Sequence, residues 1–238
     1  MVLHRCYTIA LLLLIAGSAC AFQFGWWFED AAPSPVPQDF IAEWQFDGDT
    51  TETKGTYNIT ATNGSPFFVT DGFKSGVDCV DLNAVNTYYT LGTDCDVTSD
   101  FTYSFWSEFD GNYGNYNFLG SGNSNNDNLG PRDIGASIAV QFKVDGSGAN
   151  VSATNSASMP TAWTHWICGR SNGIGVVYVN GTYKGQNAAV GNGTMTLDVL
   201  FGIGNSSYGW NGRCAQLKVY DRWLTATEIS DIYTEEKP

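Results

Sequence analysis

Four segments near the carboxyl end of the chain decide its fold: WTHWIC (163–168), GVVYVNGTYKG (175–185), LFGIG (200–204) and GRCAQLKVYDRWLTATEISDIY (212–233). In the second segment, Val177 and Val179 recur with the period of two that places side chains on one face of a strand. Asn180-Gly181 then supplies two residues that tolerate a positive φ. This segment predicts a β-hairpin closed by a type I′ turn.

The last of these segments changes from a strand to a helix. Thr225 is followed three residues later by Glu228, the spacing of a capping box at a helix amino terminus. Ile229 and Ile232 then share one helical face. We expect a final strand that leads into one short helix.

The order of these motifs resembles the laminin-G-like (LamG) members of the concanavalin A-like lectin/glucanase superfamily, over residues 40–236. The motifs are a W-x-H strand, a VYVNG hairpin and a GR…LKVYDRxLTxxEI ending. WQFDGDT (44–50) and FTYSFW (101–106) add weaker matches. The resemblance implies an antiparallel sandwich that binds something outside the cell. The superfamily includes lectins, adhesion domains and glycosidases, so fold alone does not define the activity.

Composition favours the same architecture. The 238 residues are 43% hydrophobic and include 27 glycines, with 14% aromatic residues, which suits many short strands joined by tight turns. DFTYSFWSEF (100–109) is the strongest strand, with Phe101, Tyr103, Phe105 and Phe109 on one face. We count twelve to fourteen strands and no βαβ alternation. The predicted fold is all-β: a two-sheet antiparallel β-sandwich, or jelly roll, with one short C-terminal helix.

The amino-terminal region reads as an export signal. Residues 1–21 have the pattern of a secretory signal peptide, residues 22–39 form an aromatic and proline-rich linker, and residues 40–238 form the domain. Two alternatives stay open. The apolar stretch Tyr7–Phe28 is long enough for a membrane anchor, and Cys20 could be lipidated. All three alternatives place the domain outside the cytoplasm.

The cysteines fit an exported protein. Four of the six lie beyond the leader, Cys79, Cys95, Cys168 and Cys214. An even number in an exported chain predicts two disulfides, with three possible pairings. The absence of a C-x-x-C unit argues against zinc. Asn-x-Ser/Thr sequons also allow glycosylation in a host that performs it; they begin at Asn58, Asn63, Asn150, Asn180, Asn192 and Asn205.

The charge limits the partners. A formal net charge of −13 repels nucleic acid and anionic lipid headgroups, so neither is an expected partner. Solubility is one explanation of the acidity, and an accompanying cation is another. Calcium is common in the resembled superfamily, and Asp47, Asp49 and Asp221 are its candidate ligands if the first and last strands pair and bring their ends together.

Catalytic motifs are incomplete. Glycosidases on this fold use a Glu-x-Asp-x-x-Glu pattern, in which two carboxylates act as acid and nucleophile. The nearest match, Glu108-Phe109-Asp110, lacks the second glutamate. The resemblance makes Trp163 and His165 framework positions. We therefore expect no enzymatic activity.

Two loops carry the residues suited to sugar binding, which uses aromatic faces for stacking and amides or carboxylates for hydroxyl groups. If the fold brings both loops to one edge, they form a shallow polar and aromatic site, although the resemblance also allows Trp210 to pack under the final strand. The candidates are Asp110, Asn112, Tyr113 and Tyr116 in the first loop, and Tyr208 and Trp210 in the second.

Together these observations favour a secreted, noncatalytic, lectin-like domain that recognises a cell-surface or extracellular glycan. One alternative is a protein-binding adhesion or structural LamG module, which predicts a contiguous apolar or charged surface patch. The other is a divergent glycosidase, which predicts that Glu108 and Asp110 face a deep cleft.

Overall fold

The computed structural model describes residues 36–82, 87–110, 118–121, 127–134, 137–154, 159–202 and 210–238. These residues form fifteen strands and one helix. The strands are β1 (Ala42–Trp44), β2 (Ile59–Asn63), β3 (Phe67–Lys74), β4 (Val77–Leu82), β5 (Tyr88–Val97), β6 (Phe101–Phe109), β7 (Leu119–Gly120), β8 (Asn128–Asp133), β9 (Ile138–Val144), β10 (Ser147–Thr154), β11 (Thr164–Ser171), β12 (Ile174–Val179), β13 (Thr182–Asn187), β14 (Met195–Leu200) and β15 (Gly212–Tyr220). The helix is α1 (Ala226–Glu236).

The strands form two antiparallel sheets. The first has the order β13-β12-β11-β6-β15-β4-β3, and β1 also pairs with β15. The second has the order β10-β9-β8-β7-β14-β5-β2. The predicted two-sheet antiparallel sandwich with one C-terminal helix is therefore confirmed. The fifteen strands exceed the expected twelve to fourteen, and β7, which is only two residues long, was not predicted.

The core lies between the two sheets and is rich in aromatic side chains. Phe101, Tyr103, Phe105 and Phe109 all enter it from β6, as their alternation predicts. The ring of Phe118, which directly precedes β7 of the second sheet, stacks on Phe105 with a centroid distance of 3.9 Å. The even-numbered positions of β6 consequently face the outer side of the first sheet.

Helix α1 covers part of that outer side. Ile229 and Ile232 are buried against the first sheet, and Thr225 and Glu228 form the predicted capping box. No helix in the described part of the chain is long and apolar enough to cross a membrane.

The predicted hairpin is also present. Val179 pairs with Thr182 across Asn180 and Gly181, whose φ angles are 49° and 70°. The Asn180 Oδ1 atom accepts a hydrogen bond of 2.8 Å from the backbone N–H of His165, which ties the turn to β11. A type I′ turn thus joins β12 and β13.

The predicted disulfides are absent. Cys79, Cys95, Cys168 and Cys214 are all buried free thiols. Cys168 and Cys214 lie on strands separated by β6, and two strand spacings, about 10 Å, exceed the roughly 7 Å limit between bridged Cα atoms. Cys79 and Cys95 belong to different hydrophobic clusters, the first of them on the outer face of the first sheet. The expectation of two bridges was wrong: alternation directs Cys79 to the outer face of the first sheet and the other three into the core, where strand pairing leaves them as free thiols.

Candidate functional site

The two candidate loops join the first sheet side by side, where its central strand β6 ends and its central strand β15 begins. We call this end of the strands the edge. The end of β6 pairs with the start of β15, where Phe109 lies opposite Gly212. The backbone N–H of Asp110 donates a hydrogen bond of 3.3 Å to the carbonyl of Asn211. Antiparallel pairing therefore makes the segment after β6 and the segment before β15 leave the sheet side by side.

A small polar cleft of about 270 Å³ opens at this edge. Its polar side chains come from Asp81, Glu108, Asp110, Thr161 and Arg213. We call this the edge cleft. Three strands and the segment before β11 contribute to it, so its walls form only when the sheet assembles.

A row of charges forms one wall of the edge cleft. Strand register places Arg213 directly opposite both Asp81 and Glu108. The Arg213 Nε atom lies 3.1 Å from Asp81 Oδ2, and its Nη1 atom lies 3.3 Å from Glu108 Oε2. The hydrogen bond to Asp81, supported by both carboxylates, raises the pKa of Arg213 above its usual value. Cross-strand pairing thus presents carboxylate oxygens beside a guanidinium on the outer face.

Gly212 allows the strands to meet closely at this point. Its φ is 144°, and a Cβ atom placed there would lie 2.2 Å from the Glu108 carbonyl oxygen. A side chain would push β15 away from β6 and disturb the row of charges. This accounts for the glycine that precedes the arginine in the GR motif.

The structure separates the predicted ligand residues into three groups. Asp110 is exposed and lines the edge cleft. Trp210 is fully buried against Phe109 and Phe118, so its proposed role in stacking on a ligand was wrong; burial gives this ring more apolar contact than the surface would. The remaining candidates lie outside the described residues; they are Asn112, Tyr113, Tyr116 and Tyr208.

The predicted calcium ligands do not come together. β1 and β15 do pair, but they run antiparallel, which places Asp47 near one end of the pair and Asp221 near the other. Asp47 instead accepts a hydrogen bond from the backbone of Asp78, and Asp49 accepts one from Thr51. Within the described ranges no group of three acidic, histidine or cysteine residues could hold a metal ion.

Three residues of the edge cleft were not predicted from the sequence. Asp81, Thr161 and Arg213 are widely spaced in the chain, and only the register of β4, β6 and β15 brings two of them beside Glu108. The arginine could have been found from the GR motif, which the resemblance had already drawn attention to. Nothing in the local sequence distinguishes Asp81 from other acidic residues.

Comparison with known families matches residues 83–230 to a laminin G model described as Concanavalin A-like lectin/glucanases superfamily. The match covers more than half of the chain. The chain belongs to this family. No curated protein matches it.

Solved structures share the fold. Domain 4 of AbnA, a GH43 extracellular arabinanase from Geobacillus stearothermophilus, in complex with arabinotriose, has a TM-score of 0.64 and 17% identity; the alignment covers 82% of this chain and 98% of that domain. The botulinum neurotoxin serotype D ligand binding domain, in complex with N-acetylneuraminic acid, has a TM-score of 0.62 and 14% identity, covering 83% and 51%. At these identities the likeness establishes the fold.

Proposed function

We propose that this protein is a noncatalytic lectin-like domain that binds a glycan outside the cell, at the edge cleft and the loops rooted beside it. The observation that carries this proposal is the row of Asp81, Arg213 and Glu108 next to the exposed Asp110. Carboxylates accept hydrogen bonds from sugar hydroxyl groups, and a guanidinium donates to them. The edge cleft thus offers both kinds of partner within one small space.

We expect the adjoining loops to supply the aromatic rings that the edge cleft lacks. Tyr113 and Tyr116 follow Asp110 in the chain, and Tyr208 precedes β15, so all three belong to segments rooted at this edge. We propose that these rings stack against the sugar faces while the edge cleft holds hydroxyl groups.

The fold relatives support a glycan partner. One is a domain in complex with arabinotriose and another is a ligand binding domain in complex with N-acetylneuraminic acid. The first belongs to an extracellular enzyme, which agrees with the proposed export of this chain by residues 1–21.

The geometry gives less support to catalysis. Glu108 and Asp110 both line the edge cleft, as the glycosidase alternative expects, but the cleft is small. The Glu108 carboxylate is already engaged by Arg213, whereas a glycosidase keeps one carboxyl group protonated for the leaving group. We therefore propose binding without hydrolysis.

The protein-binding alternative predicts a contiguous apolar or charged patch, of which the apolar kind can be checked from the exposed side chains. Among the described residues, the large exposed apolar side chains are Phe67, Ile134 and Tyr183. Phe67 and Tyr183 lie on strands at opposite edges of the first sheet, and Ile134 follows a strand of the second. These positions are too dispersed to form one apolar docking patch.

A glycan array, followed by titration calorimetry with the best ligand, tests the proposal. We expect the full chain to bind at least one oligosaccharide and to release no hydrolysis product. Asp110→Ala should weaken binding by about tenfold, since it removes a charged hydrogen-bond acceptor. The matched control is Asp94→Ala, which removes an exposed carboxylate from β5 in the other sheet.

Three outcomes would contradict the proposal: no binding across the array, equal effects of the two substitutions, or turnover that Glu108→Gln abolishes. Thermal melting of each variant separates a lost contact from a lost fold. The last outcome would instead favour the glycosidase alternative.

A further inference from the structure

A second groove, of about 430 Å³, lies on the outer face of the second sheet. Its side chains come from Arg132, Gln141, Lys143 and Asn150, and Gly148 forms part of its lining. We call it the cationic groove. It shares no residue with the edge cleft, which is built on the first sheet.

Strand register explains how the cationic groove forms. Ile138, Val140, Phe142 and Val144 of β9 enter the core, so the intervening side chains of β9 face outward. In the neighbouring strands, Arg132 lies opposite Ala139, Gln141 opposite Asn150, and Lys143 opposite Gly148. Arg132 is therefore level with Ala139 of β9, and Lys143 lies four residues further along β9. This offset corresponds to about 13 Å along the strand.

The two cations of this groove differ from most other cations in the described ranges, which bind an acceptor of the protein. Lys54, Lys74 and Arg170 donate to backbone carbonyl groups. Arg213, Lys218 and Arg222 form ion pairs with carboxylates. In the part of the chain that the structure describes, neither Arg132 nor Lys143 has an acidic side chain within ion-pairing distance. The Arg132 Nε atom is in addition buried without a hydrogen-bond partner.

An unpaired, partly buried guanidinium has a cost that a bound anion would remove. In a chain with 24 acidic and 11 basic residues, carboxylate partners are abundant, yet two cations of one groove are left without them. The neighbouring amides of Gln141 and Asn150 add donors and acceptors suited to hydroxyl groups. Gly148 has no side chain, so a ligand can approach β10 closely beside Lys143.

We propose that the cationic groove binds a carboxylate-bearing oligosaccharide, with sugar carboxylates at Arg132 and Lys143 and hydroxyl groups at the amides between them. A guanidinium fork fits a carboxylate with two parallel hydrogen bonds, and an ammonium supplies a point charge at the other end. The offset of Arg132 and Lys143 along β9 suits carboxylates on different sugar units of one oligosaccharide. A nucleic acid fits poorly because two cations neutralise only two phosphates of a long polyanion, and the net charge of −13 repels the rest; a short oligosaccharide carries few charges beyond the two that the groove can pair. This inference adds a second surface and an acidic ligand class to the glycan binding proposed above.

Titration of the full chain with trigalacturonate tests the inference. We expect saturable binding at low salt that weakens at about 0.15 M salt, because charge pairs near a surface are screened. The methyl-esterified trisaccharide, which has the same hydroxyl groups but no charge, should not bind. A sulfated oligosaccharide of the same length distinguishes carboxylate recognition from attraction to any anion, and a short glutamate peptide tests the class of partner.

Arg132→Gln and Lys143→Gln should each weaken trigalacturonate binding by about tenfold or more, since each removes charge-assisted hydrogen bonds. Lys184→Gln is the matched control, because it removes one positive charge from an exposed position on β13 of the other sheet. Its affinity should equal that of the unmodified chain. Circular dichroism and thermal melting establish that each variant is folded.

The inference is overturned if trigalacturonate does not bind, if its ester, the sulfated sugar or the glutamate peptide binds as well, or if the control loses as much affinity as the groove variants. The two proposals fail separately. Binding of a neutral oligosaccharide but not of trigalacturonate would contradict the inference about the cationic groove and leave the proposal for the edge cleft standing. Binding of trigalacturonate but of no neutral oligosaccharide would contradict the proposal for the edge cleft and leave the inference about the cationic groove standing.

Discussion

At the scale of single residues, His165 of the W-x-H motif has a structural role. Its ring stacks on Trp106 with a centroid distance of 4.8 Å, and its Nε2 atom lies 2.9 Å from Ser104 Oγ. Complete burial, together with the nearby Lys218 charge, lowers the pKa of His165 to about 3. The histidine is therefore neutral throughout the physiological range, as a framework residue should be.

This lowered pKa predicts a loss of stability in mild acid. In the unfolded chain the His165 imidazole is protonated near pH 6.5, whereas in the folded chain it is protonated only near pH 3. The His165 contribution is thus complete above pH 6.5 and decreases as the pH falls from there. Between pH 7 and pH 5, we expect the free energy of unfolding of the wild type to fall by on the order of 2 kcal/mol more than that of His165→Gln.

Urea unfolding at both pH values measures this difference. Ser104→Ala serves as the control, since it removes the hydrogen bond to the ring but keeps the titrating group, and it should retain the wild-type pH dependence. Equal pH dependence in wild type and His165→Gln would show that the ring is not kept neutral by burial.

At the scale of elements, helix α1 is held at its amino terminus by a charged network. Arg222 contacts Asp39 and Glu228 at 2.6 Å and 2.7 Å. Glu228 also completes the capping box with Thr225. The hydrogen bond from Arg222 is the main reason why the pKa of Glu228 falls to about 2.

The network predicts that acid weakens the attachment of α1. Because the folded pKa of Glu228 lies below the unfolded value, its contribution is complete above pH 4.5 and is lost as the pH falls toward 2. At pH 7, Glu228→Gln should lower the free energy of unfolding by about 1 kcal/mol, a value limited by solvent screening of the pair. The difference should disappear near pH 2.

Chemical denaturation at pH 7, 4 and 2.5 checks this prediction. Glu235→Gln is the matched control, because it alters an exposed glutamate in the last turn of the same helix. A wild-type stability advantage that persisted undiminished at the lowest pH would contradict the proposed ionic attachment.

At the scale of the whole molecule, the sandwich is held by burial between its sheets and not by cross-links. Its four described cysteines are separate, buried thiols. Burial raises the pKa of the Cys79 and Cys95 thiols to about 12 and raises those of Cys168 and Cys214 as well. Thiolate is the reactive form, so all four should be inert in the folded protein.

We therefore expect a thiol reagent to label these four positions only after unfolding, and a reducing agent to leave the melting temperature unchanged. Mass spectrometry of alkylated peptides identifies each position and keeps Cys6 and Cys20 of the amino-terminal region separate. Recovery of a disulfide-linked peptide pair from the four, or a fall in melting temperature of several degrees on reduction, would contradict the structure.

Local sequence determined much of this molecule. Alternation predicted the core face of β6, Asn180-Gly181 predicted the hairpin turn, and Thr225 with Glu228 predicted the start of α1. Each of these features depends on residues within about one turn or one strand, where side-chain period and turn chemistry act directly. Motif order then identified the family without any knowledge of how the strands pair.

Only the tertiary structure decided the contacts between distant strands. Register brought Asp81 and Glu108 to Arg213, buried Trp210, placed Asp47 and Asp221 at opposite ends of one pair and left the cysteines apart. A shift of one residue would reverse the face of every side chain in a strand, and no short segment encodes which strand becomes its neighbour. The pairing is settled by the packing of the two sheets as a whole, which is why the sequence by itself determined the elements and the family but not the sites.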